Sequence, residues 1–217
     1  MTLTHAIIIR LFFEPEDPRA GWRLAFFEAM ALPCLQRQSC PDFEIWIRCH
    51  PAHRERLEAL DPRIRTFRDQ PRREDAEIGL LALAALAGDG EDLPRVDIQT
   101  RHDSDDLVSR HYVARIRKEV ERAGPGAPLV VSFQPYKLNI ATLRRYRMST
   151  RYHARRGSMF LSLYQPDKSD YHYIYDYNHR LIWEAFPRVV TVPEGYCDLV
   201  IHGDNCHTKI ERQDEPI

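Results

Sequence analysis

The chain has 217 residues, 43% of them hydrophobic and 29% charged, with a formal net charge of −1. It is long enough to bury one large core and too apolar to be globally disordered, and its near-zero charge excludes a polycation held on nucleic acid by charge alone. Nine glycines and fifteen prolines without a period exclude a fibrous repeat.

No apolar run approaches the roughly 18 residues that a membrane span needs. Met1–His5 places no basic segment before an apolar one, so no secretory signal is expected. The five cysteines are an odd number in a chain that needs no staples. Reduced thiols and a cytoplasmic location are the expectation. Charge is uneven along the chain: residues 1–100 carry −4, residues 101–156 carry +8 and residues 157–217 carry −5. The basic middle either meets an anionic partner at one face or is a solvated surface.

Taken in chain order, Ala6–Ile9 is a short apolar run that fits a strand buried on both faces, with Phe12 and Phe13 as a possible extension. Trp22, Phe26, Phe27 and Met30 give a helix over Gly21–Leu35, with Pro33 starting a new turn or kinking it. Phe43–Ile47 reads as a second strand, His53–Leu60 as a short helix and Arg63–Phe67 as a third strand. Glu74–Ala87 has the clearest helical stripe. Val96–Thr100 alternates as a strand, and Asp106–Ala123 returns to helix before Gly124-Pro125-Gly126. Leu129–Phe133 is a further strand. Leu138–Tyr146, Ser158–Tyr164, Tyr171–Tyr177, Val189–Val192 and Leu199–Ile201 are β-prone. Alternation of strand and helix over the first half predicts an α/β fold with a largely parallel sheet and a β-rich C-terminal half. Ligands of such sheets sit beyond the carboxyl ends of the strands.

Thr100-Arg101-His102-Asp103-Ser104-Asp105-Asp106 follows the strand at 96–100 and holds three carboxylates within four residues. Like charges this close are easiest to hold beside a compensating cation, and hard oxygen ligands suit Mg²⁺ or Mn²⁺. The same acids also fit a helix start, with Asp103 or Ser104 as cap. Arg101 offers a planar fork for phosphate.

This segment, continued to Leu107, resembles the T-R-x-D-x-D-D-x signature of a bacterial family of rhamnosyltransferases with a GT-A type, Rossmann-like fold. Leu32-Pro33-Cys34-Leu35-Gln36-Arg37-Gln38, Asp42-Phe43-Glu44-Ile45-Trp46-Ile47 and Val200-Ile201-His202-Gly203-Asp204-Asn205 resemble the family in order and spacing. The resemblance implies one GT-A domain, with a donor-binding half at 1–106 and an acceptor half with a C-terminal metal-ligand segment at 107–217. It implies transfer of a sugar from a UDP- or dTDP-sugar donor to a glycan or lipid-linked acceptor. By the same resemblance, Asp105 is the expected direct ligand of Mn²⁺ or Mg²⁺, Asp103 contacts the ribose or a metal water, and His202 completes the metal shell. Arg10 and Arg101 are implied contacts of the nucleotide or diphosphate. A base for the acceptor hydroxyl is sought among Asp176, His179 and Glu184, none singled out by spacing. The family's usual length exceeds this chain's, and residues between Gln70 and Pro94 match nothing in it.

Cys49-His50-Pro51-Ala52-His53 and the set Cys197, His202, Cys206, His207 lack the regular spacing of a structural zinc site. The run Arg144-Arg145-Tyr146-Arg147 with Arg151-Tyr152-His153-Ala154-Arg155-Arg156 interleaves arginine with aromatics. It fits an exposed hairpin, or a landing site for an acceptor at a membrane surface, better than nucleic acid. Tyr171–Tyr177 fits either sugar stacking or a half-buried strand. Two further functions use the same acids: a two-metal phosphoesterase or nuclease, which needs more carboxylates at other strand ends, and a binding module without turnover.

Overall fold

The protein is represented by a computed structural model that describes residues 3–11, 16–68, 95–148, 160–176, 182–202 and 215–216. The helix expected at Glu74–Ala87 and the candidate base His179 lie outside these residues.

Two sheets organise the described chain. The larger has seven strands in the order β10-β6-β9-β4-β1-β2-β3. These are β1 (His5–Leu11), β2 (Glu44–Cys49), β3 (Ile64–Arg68), β4 (Ile98–Asp103), β6 (Leu129–Phe133), β9 (Leu161–Tyr164) and β10 (Val189–Val192). β1, β2, β3 and β4 run parallel, as do β6 and β10. β9 alone runs against its neighbours, wedged between β4 and β6. The apolar run at the start of the chain becomes the sheet's centre. Ile7, Ile9 and Leu11 point into one core, while Ala6 and Ile8 point into a second core on the opposite face.

The first core is covered by helices. The helix after β1 has three parts: α1 (Pro18–Phe26), a wider π turn (Phe27–Ala31) and α2 (Leu32–Gln36). Pro33 explains the break. It has no N–H to give and its ring crowds the carbonyl four residues back, and the wider turn, with the Leu32 N–H reaching the Phe27 carbonyl, absorbs both. α3 (Arg54–Glu58) is short, and α4 (Tyr112–Ala123) buries Tyr112, Val113, Ile116 and Val120 against the sheet. α4 stops at Gly124, whose φ of +72° favours glycine. The second core takes Ile174, and Ile182 and Phe186 from the segment around α5 (Ile182–Ala185).

α4 starts six residues later than the apolar spacing predicts. Asp106 is buried, and Leu107-Val108 form β5, paired antiparallel with β11 (Cys197–Ile201). Neither Asp103 nor Ser104 caps the helix. The N–H of Val113 in its first turn is instead accepted by the side-chain carbonyl Oε1 of Gln38 at 3.0 Å. β5 and β11 belong to the smaller sheet, ordered β12-β8-β7-β11-β5, where β7 is Tyr136–Asn139, β8 Arg144–Arg147 and β12 Glu215–Pro216. The β-prone stretch Leu138–Tyr146 therefore falls on a hairpin of two strands, β7 and β8. Of the stretch Tyr171–Tyr177, residues 171–173 are irregular and Ile174–Asp176 form a tight turn, not a strand, and Tyr177 lies outside the described residues.

Candidate functional site

The parallel register of β1 and β4 brings Arg10 opposite Asp103 and Ile8 opposite Arg101 at the carboxyl ends of both strands. That is the end at which parallel α/β sheets hold ligands. Arg10 and Arg101 converge there. Their guanidinium carbons lie 5.4 and 4.9 Å from the ring centroid of Tyr175, whose hydroxyl donates to the Ile8 carbonyl at 3.1 Å. Asp103 is partly exposed, with a carboxylate oxygen 4.0 Å from Arg101 Nε. Burial and the Asp105 carboxylate raise its carboxyl above the usual range, against the pull of Arg101.

One turn further on, Asp105 is buried at the meeting point of three segments. One carboxylate oxygen is hydrogen-bonded to His202 Nε2 at 2.8 Å, and the other pairs with the guanidinium of Arg23 on α1. The indole of Trp22 lies against the imidazole of His202, ring centroids 4.4 Å apart, and Phe26 stacks behind it at 5.3 Å. Asp106 faces away and accepts the Val200 N–H at 3.0 Å. Burial, and then Asp105 and Asp103, push its carboxyl well above the usual range. His102 is buried, and burial pushes its imidazole down to about 4.

Asp103, Asp105, His202, Arg10 and Arg101 thus come to one end of the large sheet. Asp105 and His202 are in contact although 97 residues apart. The two carboxylates are hard oxygen donors of the kind that suit Mn²⁺ or Mg²⁺, and the imidazole is a nitrogen donor better matched to a transition metal than to Mg²⁺. Among the described residues no three such side chains are already gathered as a ligand shell. The Asp105–His202 pair is the part of the set that is assembled, with Arg23 as the resident positive charge. Of the candidate bases, Asp176 ends the turn after Tyr175, and its side chain lies outside the described residues. Glu184 is exposed on α5, and no contact among the described residues joins it to Asp105 or His202. Trp22 and Arg23 were not singled out by the sequence as site residues, and Tyr175 stood there only within the Tyr171–Tyr177 run. Trp22 reads there as one more apolar residue of an amphipathic helix, and nothing local marks Arg23.

The remaining clusters are structural in character. Cys49 is buried at the end of β2, and His50 accepts the Ala52 N–H to start the turn Pro51–His53. Cys197 is buried beside Val108, and burial raises its thiol. Cys206 and His207 lie outside the described residues. No helix among the described residues is long and apolar enough to cross a membrane.

No curated protein matches the chain in sequence. Among solved structures, S. aureus TarS 1–349 superposes with a TM-score of 0.54 at 10% identity, covering 91% of this chain and 60% of that one. The same protein in complex with UDP-GlcNAc gives 0.54 at 11% identity over 94% and 60%, and in complex with UDP 0.54 at 10% over 92% and 61%. The chain therefore spans about three fifths of that TarS fragment, and the likeness is one of fold. The family described as "Putative rhamnosyl transferase" matches residues 5–213, nearly the whole chain. With its parallel strand β4 ending at Asp103 and Asp105 in the turn just beyond, the protein belongs to the rhamnosyl transferase family and has the α/β fold of GT-A type glycosyltransferases.

Proposed function

We propose that the protein transfers a sugar, rhamnose by family, from a nucleoside-diphosphate donor to a hydroxyl acceptor at the end of β4, with Mn²⁺ or Mg²⁺ as cofactor. The observation that supports this most is the buried Asp105–His202 pair beside Asp103, Arg10, Arg101 and Arg23, in a fold shared with a protein seen with UDP-GlcNAc and with UDP. Breaking the anomeric bond leaves negative charge on the departing diphosphate. Positive groups fixed before the reaction stabilise that charge without reorganising. Arg10 and Arg101, splinted by the Tyr175 ring, are fixed in this way and take the diphosphate oxygens. Asp105, His202 and Asp103 are the residues that would hold the cation, which when bound would supply further positive charge to the departing diphosphate. The exposed indole of Trp22 closes one side of the pair and excludes water from it. UDP or dTDP is the proposed nucleotide, a glycan or lipid-linked sugar the acceptor, and a peripheral approach to a membrane is compatible with the arginine-rich hairpin β7–β8.

The test pairs thermal stabilisation by UDP, dTDP and their sugars, with and without Mn²⁺, with a donor-hydrolysis assay. Metal-dependent stabilisation of about 2.7 kcal/mol at a hundredfold excess over Kd is expected, and Asp105→Ala should abolish both it and hydrolysis. Full metal-independent turnover by Asp105→Ala would remove the cation from the reading. Stabilisation by oligonucleotides alone would favour a phosphoesterase, and binding without turnover a non-catalytic module.

A further inference from the structure

The hairpin of the small sheet has an unusual apex. Asn139 pairs with Arg144 across β7 and β8, so residues 140–143 form the turn. This turn is built, not slack: the side-chain oxygen of Asn139 accepts the N–H groups of Ala141 and Thr142 at 3.0 and 3.1 Å. Ile140 packs against the cluster of Phe26, Leu138 and Val200. Leu143 is 73% exposed and sits in the left-handed region at φ +55°. A lone exposed leucine is ordinary on a protein surface. A leucine exposed where glycine or asparagine is preferred is not, because the backbone is strained to hold an apolar side chain out in water.

Positive charge follows this side chain. From Tyr136 to Arg147 the sequence holds four basic residues and no acidic one. Arg144 comes directly after Leu143, is exposed and has no ion pair among the described residues. Arg145 and Arg147 pair with Asp198 and Glu194 at 2.7 and 3.2 Å, yet their own side chains stay about half exposed while the two acids are mostly covered. Register fixes where the apex sits. β7 runs parallel to β11 with Asn139 beside Ile201, and the Ile140 N–H donates to the Ile201 carbonyl at 3.2 Å. The turn therefore leaves the small sheet at the end where β11 delivers His202. β8 lies two strands from β11, a lateral separation of about 10 Å at about 4.8 Å per strand. Trp22, packed on His202, is exposed at the same end. Exposed leucine and tryptophan with arginines just behind suit the headgroup region of an anionic bilayer. The apolar side chains reach toward the acyl boundary there, and guanidinium groups meet the lipid phosphates.

We propose that the β7–β8 apex is a membrane-docking tip: Leu143 inserts among anionic lipid headgroups, and Arg144 and Arg145 bind their phosphates. The purpose of the tip rests on the glycosyl-transfer reading. It holds the His202 end of the small sheet against the bilayer, within reach of an acceptor hydroxyl anchored there by a lipid. The docking itself needs neither donor nor metal.

The full chain is sedimented with vesicles of phosphatidylglycerol mixed into phosphatidylcholine, and of phosphatidylcholine alone. It is tested as wild type, Leu143→Gly, Leu143→Met and Arg144→Glu. The thermal melt of each variant without ligand is the folding control, and Arg144→Glu, which has no ion pair to lose among the described residues, carries the test if Leu143→Gly melts low. The expected result is binding to the anionic vesicles and not to phosphatidylcholine. Leu143→Met should retain it, and Leu143→Gly and Arg144→Glu should each weaken it about tenfold. Equal binding by wild type and variants, equal binding to phosphatidylcholine, or no binding to the anionic vesicles would each overturn the tip. Release of the protein by free glycerol phosphate would overturn it too, by assigning the arginines to a soluble phosphate. Tip-dependent vesicle binding by a protein that neither binds UDP nor hydrolyses a donor would leave the tip standing and bring down the transferase reading; donor hydrolysis without vesicle binding would do the reverse.

Discussion

Asp103, Asp105 and Asp106 are near neighbours in sequence, yet each does different work. Asp105 faces His202 and Arg23, Asp103 stands at the partly open strand end by Arg101, and Asp106 turns inward to hold the Val200 N–H. The cluster was legible as a cluster. Its division of labour was not, because the partners that decide it arrive from α1 and from β11. The same holds for Trp22, whose spacing from Phe26 reads as core and whose contact with His202 depends on a strand nearly two hundred residues later. Two substitutions probe these roles. Asp106→Ala leaves a buried N–H without an acceptor and should cost about 1–3 kcal/mol in urea unfolding. Arg23→Met removes the positive charge that competes for Asp105. It should tighten Mn²⁺ binding severalfold by calorimetry while weakening binding of a nucleoside diphosphate, and looser Mn²⁺ binding would count against a cation at Asp105.

Element by element, the parallel core was the readable part. Ala6–Ile9, Phe43–Ile47, Arg63–Phe67, Val96–Thr100 and Leu129–Phe133 all overlap strands of the large sheet; the first is a continuous apolar run, which suits a strand covered on both faces, and Val96–Thr100 shows alternation. The tyrosine-rich segment misled for a physical reason. Its alternation suits a strand, but two buried glutamines take the place of a neighbouring strand. Gln99 donates to the His172 carbonyl and accepts from the Ile174 N–H, and Gln165 bonds both backbone groups of His172. Side-chain amides that imitate a backbone leave no periodic trace. The β7–β8 hairpin was hidden in the same way. Asn139 accepts the Ala141 and Thr142 N–H groups to start the turn, and Leu143 completes it at φ +55° while 73% exposed. A left-handed conformation costs an ordinary side chain about 1–2 kcal/mol, partly offset by the entropy glycine loses on folding. Leu143→Gly should therefore raise stability by up to about 1 kcal/mol in thermal or urea melts, and a drop of that size would mean that the leucine side chain is holding the turn.

At the scale of the whole molecule, buried imidazoles tie stability to pH. His5 bridges to Thr100 at 2.7 Å, and Thr100 to Ser162 at 2.8 Å, a polar chain through the middle of the sheet. Burial, helped by Arg117, pushes His5 down to about 3, and burial alone takes His102 to about 4. Below pH 6.5 the unfolded chain protonates these rings and the folded one does not. Stability is thus full above that pH and is lost as pH falls toward 4, at up to about 1.4 kcal/mol per unit for each ring. Urea unfolding at pH 7 and pH 5 should show the loss, and His5→Gln should make it shallower.

The reversed strand β9 has a consequence for how the chain is made. β4 and β6 do not pair with each other; residues 161–164 of β9 lie between them and pair with both. A ribosome that has released β6 but not β9 holds a half-built protein in which the facing edges of β4 and β6 are open, each able to recruit a stray strand. Assembly then waits on a late segment joining an early one, which slows folding and lengthens exposure to aggregation. Fragments ending before residue 160 should accumulate in inclusion bodies, while the same cut after β9 closes these two edges and leaves open the outer edge of β6, which β10 takes later.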